Sequence, residues 1–284
     1  MKVPKISPQQ AGPSGHVENQ PHTGTTERAQ PQASAAAADG PLAGMPRRQT
    51  QAGASAGANR STIKAVIFDL DNTLADAKGV GNKTFAPAFD AIRQANRGTL
   101  DEAALQKSFD ECWRTSFPEV AAKHGYSAEM TKAGNDAFAN LSVPESAPYV
   151  GYSDMDLVKD LPVPAHLVTS GFTHYQNSKI DRLGIRDAFK SVMIDDALGK
   201  SLGKKPLFEK IQASEGLNAS EVAIVGDNPH SEISVGKALG MPTVQMLRPG
   251  VARSELADHH IEDLSKLSEV LPFAKESGDE SSPA

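Results

Sequence analysis

The stretch AVIFDLDNTLAD, residues 65–76, decides the fold. Four apolar residues run straight into Asp69 and Asp71, which are separated by a single leucine. An ionised carboxylate at the end of a buried strand is costly unless it is paired or bound to a metal. A polar turn, with Asp and Asn as turn formers, accounts for the pair locally. A metal and phosphoryl site at the carboxyl end of a strand accounts for it chemically. The rest of the chain separates the two.

Downstream, short apolar runs of buried-strand type recur: AHLVTS (165–170), SVMID (191–195), EVAIVGD (221–227) and PTVQML (242–247). Helical patterns lie between them. HYQNSKIDRLG (174–184), KPLFEKIQASEG (205–216) and HSEISVGKALG (230–240) each end in glycine, and the second has proline in its first turn. Strands alternating with helices at this spacing predict an α/β fold whose parallel sheet is covered on both faces. In such sheets ligands bind at the carboxyl ends of the strands. Those ends read Asp69, Thr169-Ser170 and Gly226-Asp227.

Residues 77–160 break the alternation. TFAPAFDAIRQANRG, LDEAALQKSFDECWRTSF and SAEMTKAGNDAFANL have helical spacing and no strong strand between them. The expected division is therefore a core of 61–76 and 161–273 with an inserted helical subdomain at 77–160.

Residues 1–60 contain no aromatic residue, and Pro, Gly and Gln each occur seven times there. Such a segment buries too little surface to offset its ordering entropy, so it is read as a disordered leader, with a second disordered stretch at 274–284. The leader carries six Lys/Arg against three Asp/Glu, whereas the whole chain is −6. The folded part is thus acidic, which argues against nucleic acid as a partner. No apolar run approaches the ~20 residues that span a bilayer, and no apolar segment near Lys2 and Lys5 marks a secretory signal. The lone Cys112 rules out an internal disulfide framework and reads as a structural thiol.

Four strand-end motifs fall in order: Asp69 with Asp71, Thr169 in HLVTSG, Lys204-Lys205 in GKKPLFEKI, and Asp227 in VAIVGDNPHSEI. This order resembles that of the haloacid dehalogenase superfamily, and the resemblance covers residues 63 to about 271. It implies a Rossmann-like three-layer core, with 77–160 as the family's small helical cap. It also implies a Mg²⁺-dependent phosphatase working through an aspartyl phosphate. Asp69 would be the nucleophile, and Asp71 would protonate the leaving group and later activate water. Asp69, the Asp71 main-chain carbonyl and Asp227 would hold the metal. Thr169 would donate to the phosphoryl group, and Ser170 stands beside it where the family often has asparagine. The Lys-Pro pairing favours Lys205 as the phosphate lysine, and spacing after Gly203 favours Lys204; both are carried. Asn228 and Glu232 stand beside the metal ligands, Glu232 reaching the metal or orienting the lysine.

The second aspartate, Asp71, favours a phosphatase over a dehalogenase. The implied substrate is a small phosphorylated metabolite or a phosphoprotein, selected by cap residues such as Arg93, Lys107, Trp113, Lys123 and His124. The leader, with PLAGMPRR at 41–48, resembles those of type III secretion effectors of plant-pathogenic bacteria. That resemblance implies delivery into a host cell, in place of a cytoplasmic bacterial role, and a host-cell target. The alternative is an effector that uses this fold to bind a host protein with little or no hydrolysis.

Overall fold

The computed structural model of the chain describes residues 62–274, apart from Asn82 and Lys200. The leader at 1–60, and all of the 274–284 tail except Ala274, lie outside the described residues.

Six strands form one parallel sheet among the described residues: β1 (Ala65–Phe68), β2 (Ala165–Gly171), β3 (Ser191–Asp196), β4 (Val222–Gly226), β5 (Thr243–Met246) and β6 (His259–Ile261). Their order is β3-β2-β1-β4-β5-β6. The chain winds outward in one direction from β1 to β3 and in the other from β4 to β6, so the order reverses between β1 and β4. At such a switch point the loops diverge and leave a crevice.

The sheet is apolar on both faces because alternate residues of each strand serve different layers. Val66 and Phe68 of β1, Leu167 of β2 and Ala223 and Val225 of β4 pack with Ile180, Leu264 and Leu267. Ala65, Ile67, Val168, Val222 and Ile224 pack the other way, with Phe208 and Ile211. The first layer is built from α5 (Thr173–Leu183) and α8 (Leu267–Val270), the second from α6 (Lys205–Glu215) and α7 (Ser234–Leu239). The helices α5, α6 and α7 stop at Gly184, Gly216 and Gly240, whose φ of +64°, +64° and +76° suits glycine. The described helices include none long and apolar enough to cross a membrane.

Between β1 and β2 the described residues form four α-helices, one more than the three helical patterns in the sequence: α1 (Ala86–Ala95), α2 (Glu102–Glu111), α3 (Phe117–Lys123) and α4 (Ala128–Ala139). The extra one, α3, begins FPEV, and its short apolar face was hidden between two stronger patterns. The insert has its own aromatic core. Phe85 stacks on Trp113 with ring centroids 4.3 Å apart, and Phe89 stacks on Phe109 at 4.2 Å. Gly134 of α4 lies under Phe117, where a Cβ would come within 2.1 Å of the ring. Phe138 stacks on Phe172 at 5.4 Å and so ties the insert to the start of α5.

Two connections carry the insert. Ala75 bridges antiparallel to Gly151, and the Tyr152 amide donates to the Leu74 carbonyl at 2.9 Å. The buried Arg248 clamps both: it donates to the Thr73 carbonyl and to Asp154 Oδ1 at 2.8 Å, while Asp154 Oδ2 accepts from the Leu264 amide.

Candidate active site

The turn after β1 fixes the first two carboxylates. The Asp69 amide donates to the Val225 carbonyl of β4 at 2.9 Å, extending the ladder by one residue. The chain then folds back, with Leu74 and Ala75 amides both donating to the Leu70 carbonyl. Asn72 takes φ +55°, a left-handed conformation that asparagine tolerates better than most residues. Leu70 and Leu74 are fully buried. The backbone of Asp71 is therefore pinned from both sides.

Asp227 follows β4 directly and comes beside Asp69 because β1 and β4 are neighbours. Glu232 arrives by another route. Residues Pro229–Ile233 form a π-type turn in which Ser231 departs from helical dihedrals (φ −118°, ψ −107°), folding Glu232 back toward the strand end. The Asn228 amide donates to Glu232 Oε1 at 2.6 Å. Gly226 makes room: a Cβ there would lie 2.3 Å from Glu232 Cγ. Oxygens of Asp69, Asp227 and Glu232 lie within 4.8 Å of one another.

One cation answers these three acids. Lys204, at the start of α6 and 5% exposed, donates to Asp69 Oδ1 at 2.5 Å and to Glu232 Oε2 at 2.8 Å. Lys205 goes elsewhere. Its exposed side chain lies 3.8 Å from Glu209, so the structure does not bring it to the acids. Of the two lysines, the one favoured by spacing after Gly203, Lys204, is the one brought to the acids, and the one favoured by the Lys-Pro pairing, Lys205, lies on the first turn of α6.

Burial is the main influence on the acids. It pushes Asp69 up to about 7, with Lys204 opposing and Glu232 adding to the rise. It pushes Asp227 up to about 8, reinforced by Asp69 and Glu232. Burial alone would lower the Lys204 ammonium, but Asp69 and Glu232 outweigh it and hold Lys204 above its ordinary value. Three carboxylates against one ammonium leave a net negative, desolvated cluster of oxygen donors. That donor set fits a hard divalent cation such as Mg²⁺.

The Asp71 carboxylate is not part of this cluster. It is held by Lys179 of α5, whose Nζ donates to both carboxylate oxygens at 2.7 Å, and by Gln176 Nε2 at 3.1 Å. Lys179 is itself 4% exposed and sits 4.7 Å over the Tyr175 ring. Gln176 Nε2 also contacts Thr169 Oγ1 at 2.9 Å and the Ser170 carbonyl at 2.6 Å. Thr169 is buried at the end of β2, one strand from Asp69. Ser170 is exposed, and its hydroxyl faces Asp195 Oδ2 at 3.4 Å rather than the acids. Asn228 caps its own turn, accepting from the His230 amide at 2.9 Å.

Lys179 and Gln176 were missed from the sequence. The available signal was their spacing: i and i+3 on the helix after Thr169, they share one face, and that face is buried. Several cap cations considered from sequence are engaged within the insert. Arg93 donates to Glu102, and Lys123 and His124 both bond Glu111. Cys112 is half-buried, with its thiol pushed up to about 12 by burial, which makes it unreactive.

The profile of the family described as haloacid dehalogenase-like hydrolase matches residues 66–246. The chain is 27% identical over 235 residues to the glyceraldehyde 3-phosphate phosphatase of Methanocaldococcus jannaschii, covering 75% of this chain and 99% of that one. Among solved structures it resembles an HAD phosphatase from Thermococcus onnurineus, with TM-score 0.51 and 21% identity over 73% of this chain and 97% of that one. It also resembles the magnesium-bound HAD-hydrolase YfnB of Bacillus subtilis, with TM-score 0.50 and 19% identity over 75% of this chain and 100% of that one. These two likenesses are of fold.

Proposed function

The chain belongs to the haloacid dehalogenase-like hydrolases, and from that premise we propose that it is a Mg²⁺-dependent phosphatase acting on a small phosphorylated metabolite. The observation that carries the reading is the cluster of Asp69, Asp227 and Glu232 with Lys204 buried among them, at the point where the strand order reverses. The names of its relatives, phosphatases of small metabolites, support the substrate class. A phosphate monoester is dianionic, so catalysis needs charge neutralisation and positioning above all.

Asp69, Asp227 and the Asp71 main-chain carbonyl would hold the ion, with Glu232 beside them. When bound, Mg²⁺ supplies the positive charge that lets an anion approach an anion. Asp69 attacks phosphorus, the ester P–O bond breaks, and the leaving oxygen takes a proton from the Asp71 carboxyl. Water then gives a proton to the Asp71 carboxylate and attacks phosphorus. The bond to Asp69 breaks and inorganic phosphate leaves. Thr169 suits the phosphoryl group for a specific reason. Its oxygen accepts from the Gln176 amide, so its own hydroxyl hydrogen is left to donate. Lys204 neutralises a further phosphoryl oxygen while remaining tethered to Glu232.

Phosphate release from p-nitrophenyl phosphate and a panel of sugar phosphates, with Mg²⁺ and with chelator, tests the reading. Turnover should need Mg²⁺, and Asp69→Asn should lower it about 10³-fold or more. Wild-type turnover by that variant would refute the covalent mechanism. The composition of residues 1–60 supports a second element, export through a type III apparatus, which a secretion assay of the chain with and without those residues tests.

A further inference from the structure

Three segments, around Thr73, Asp154 and Glu262, meet on one buried side chain. Arg248 stands two residues beyond β5, at the carboxyl-end edge of the sheet, and is 6% exposed. Its Nε and Nη2 donate to the Thr73 carbonyl at 3.1 and 3.0 Å. Nη1 donates to the Glu262 carbonyl at 3.0 Å, and Nη2 also donates to Asp154 Oδ1 at 2.8 Å. The guanidinium lies 4.3 Å over the Tyr152 ring. Asp154, also buried, is fixed in turn by the Leu264 amide at 2.7 Å. A buried ion pair adds little net stability, because desolvation offsets the attraction. What this one supplies is placement. A planar guanidinium holds its donors at fixed angles, so the acceptors it bonds are held relative to one another.

We infer that Arg248 is a positioning residue for Asp71, acting through the Thr73 carbonyl. The inference rests on the phosphatase reading above. Thr73 lies in the turn that carries Asp71. That turn is closed on itself, because the amides of Thr73, Leu74 and Ala75 all donate to the Leu70 carbonyl and the Asn72 amide donates to the Ala75 carbonyl. Its near side is tied to the sheet by the Asp69 amide on the Val225 carbonyl. Its far side is held by Arg248 at the Thr73 carbonyl. It is also held by the returning linker, through the Tyr152 amide on the Leu74 carbonyl and the Ala75–Gly151 bridge. Arg248 pins that linker as well, at the Tyr152 ring and at Asp154. Lys179 and Gln176 set the direction of the Asp71 carboxylate; Arg248 sets the backbone from which it projects. Displacing a reacting group by about 1 Å costs about a hundredfold in rate. Lysine cannot take over the task, because its single nitrogen on a flexible stem does not reproduce the fork that reaches Thr73, Glu262 and Asp154 at once.

The test uses the leaving group. Nitrophenolate departs without a proton, whereas the alkoxide of a sugar phosphate needs one from Asp71. We compare kcat/KM for p-nitrophenyl phosphate and for the sugar phosphate that the wild type turns over best, with Mg²⁺ saturating for each variant. Arg248→Lys should lower kcat/KM on the sugar phosphate about tenfold more than on p-nitrophenyl phosphate. Asp154→Asn, which keeps a hydrogen bond but removes the aligning charge, should move the ratio the same way by a smaller factor. Melting temperature confirms that each variant is folded. Equal losses on the two esters, or no loss, in a folded variant would overturn the inference, since a mere prop for the fold has no reason to discriminate between leaving groups. Failure of both variants to fold would also overturn it, because the pair would then be such a prop. In each of those cases wild-type turnover leaves the phosphatase reading standing. A wild type that turns over no sugar phosphate sinks that reading and the inference together.

Discussion

Asp69 and Asp227 should make the stability of the metal-free protein fall as pH rises, and Mg²⁺ should reverse the fall. Burial raises Asp69 from 3.8 to about 7 and Asp227 from 3.8 to about 8. Both therefore bind protons more tightly folded than unfolded. Between about pH 4 and pH 8 the folded state holds the extra protons, and stability declines through that window. Each retained proton costs about 1.4 kcal/mol per pH unit. If the two acids share a single retained proton, raising the pH from about 5.5 to about 7.0 removes roughly 2 kcal/mol. For a folded body of this size that lowers the melting temperature by roughly 4–8 °C. Mg²⁺ binds the ionised carboxylates, so its stabilisation should grow with pH. At a hundred times its dissociation constant it adds about 2.7 kcal/mol. Differential scanning fluorimetry with EDTA or Mg²⁺ at each pH measures both effects. His166, whose pKa is lowered by burial, acts in the opposite direction. Asp227→Asn isolates the acids, and in it the metal-free slope should flatten. A metal-free melting temperature that is flat from pH 5.5 to 7, or a Mg²⁺ shift of equal size at both, would refute the reasoning.

Lys204→Met should destabilise the protein by about 3–5 kcal/mol, since it strands Asp69 and Glu232 as buried charges, whereas Lys205→Met should change stability by less than about 0.5 kcal/mol. Chemical denaturation of the two variants distinguishes them, and equal losses would place the wrong lysine at the site. Gly226→Ala should displace Glu232 from Lys204, because the added methyl meets its side chain. The expected outcome is weaker Mg²⁺ binding by titration calorimetry with a retained circular dichroism spectrum.

The sheet was legible because a buried parallel strand must be apolar on both faces. AVIF, AHLVTS, SVMID, EVAIVGD and PTVQML all carry that mark, and each contains or overlaps an observed strand. The strand β6 carried no such mark. His259–Ile261 is three residues long, lies at the sheet edge and has two half-buried histidines, so its pairing with β5 comes from tertiary position. The start of α7 was also misread. HSEI has helical spacing, but the π-type turn takes up those residues, and α7 begins only at Ser234. At the site, Asp69, Thr169 and Asp227 come to one edge because the parallel topology sends all carboxyl ends of the strands there. Gln176 and Lys179 were missed, because buried polar side chains on a helix look like surface residues until their partners are known. Asp71, the partner of both, lies more than 100 residues away in sequence.

That distant pairing divides the four acids into two electrostatic compartments. Asp71 is answered within the protein by an ammonium that touches both of its oxygens and by the Gln176 amide. Among the described residues, Asp69, Asp227 and Glu232 have Lys204 as their one ammonium and remain in net deficit. Were all four acids equally neutralised, the site would have no reason to gather a cation, and an anionic ester would gain nothing by entering. Were none neutralised, burial and like charge would hold protons on Asp69 and Asp227 still more firmly than they already do. The division leaves the deficit at Asp69, Asp227 and Glu232, where the proposed metal and phosphoryl group would meet, and keeps Asp71 apart from it. Gln176 links Asp71 to the end of β2, because the same amide nitrogen touches the Asp71 carboxylate and the Thr169 hydroxyl. On the proposed mechanism, a phosphoryl group drawing on Thr169 would be felt at Asp71 through the Gln176 side chain, which would set the proposed proton donor in register with the bond that breaks.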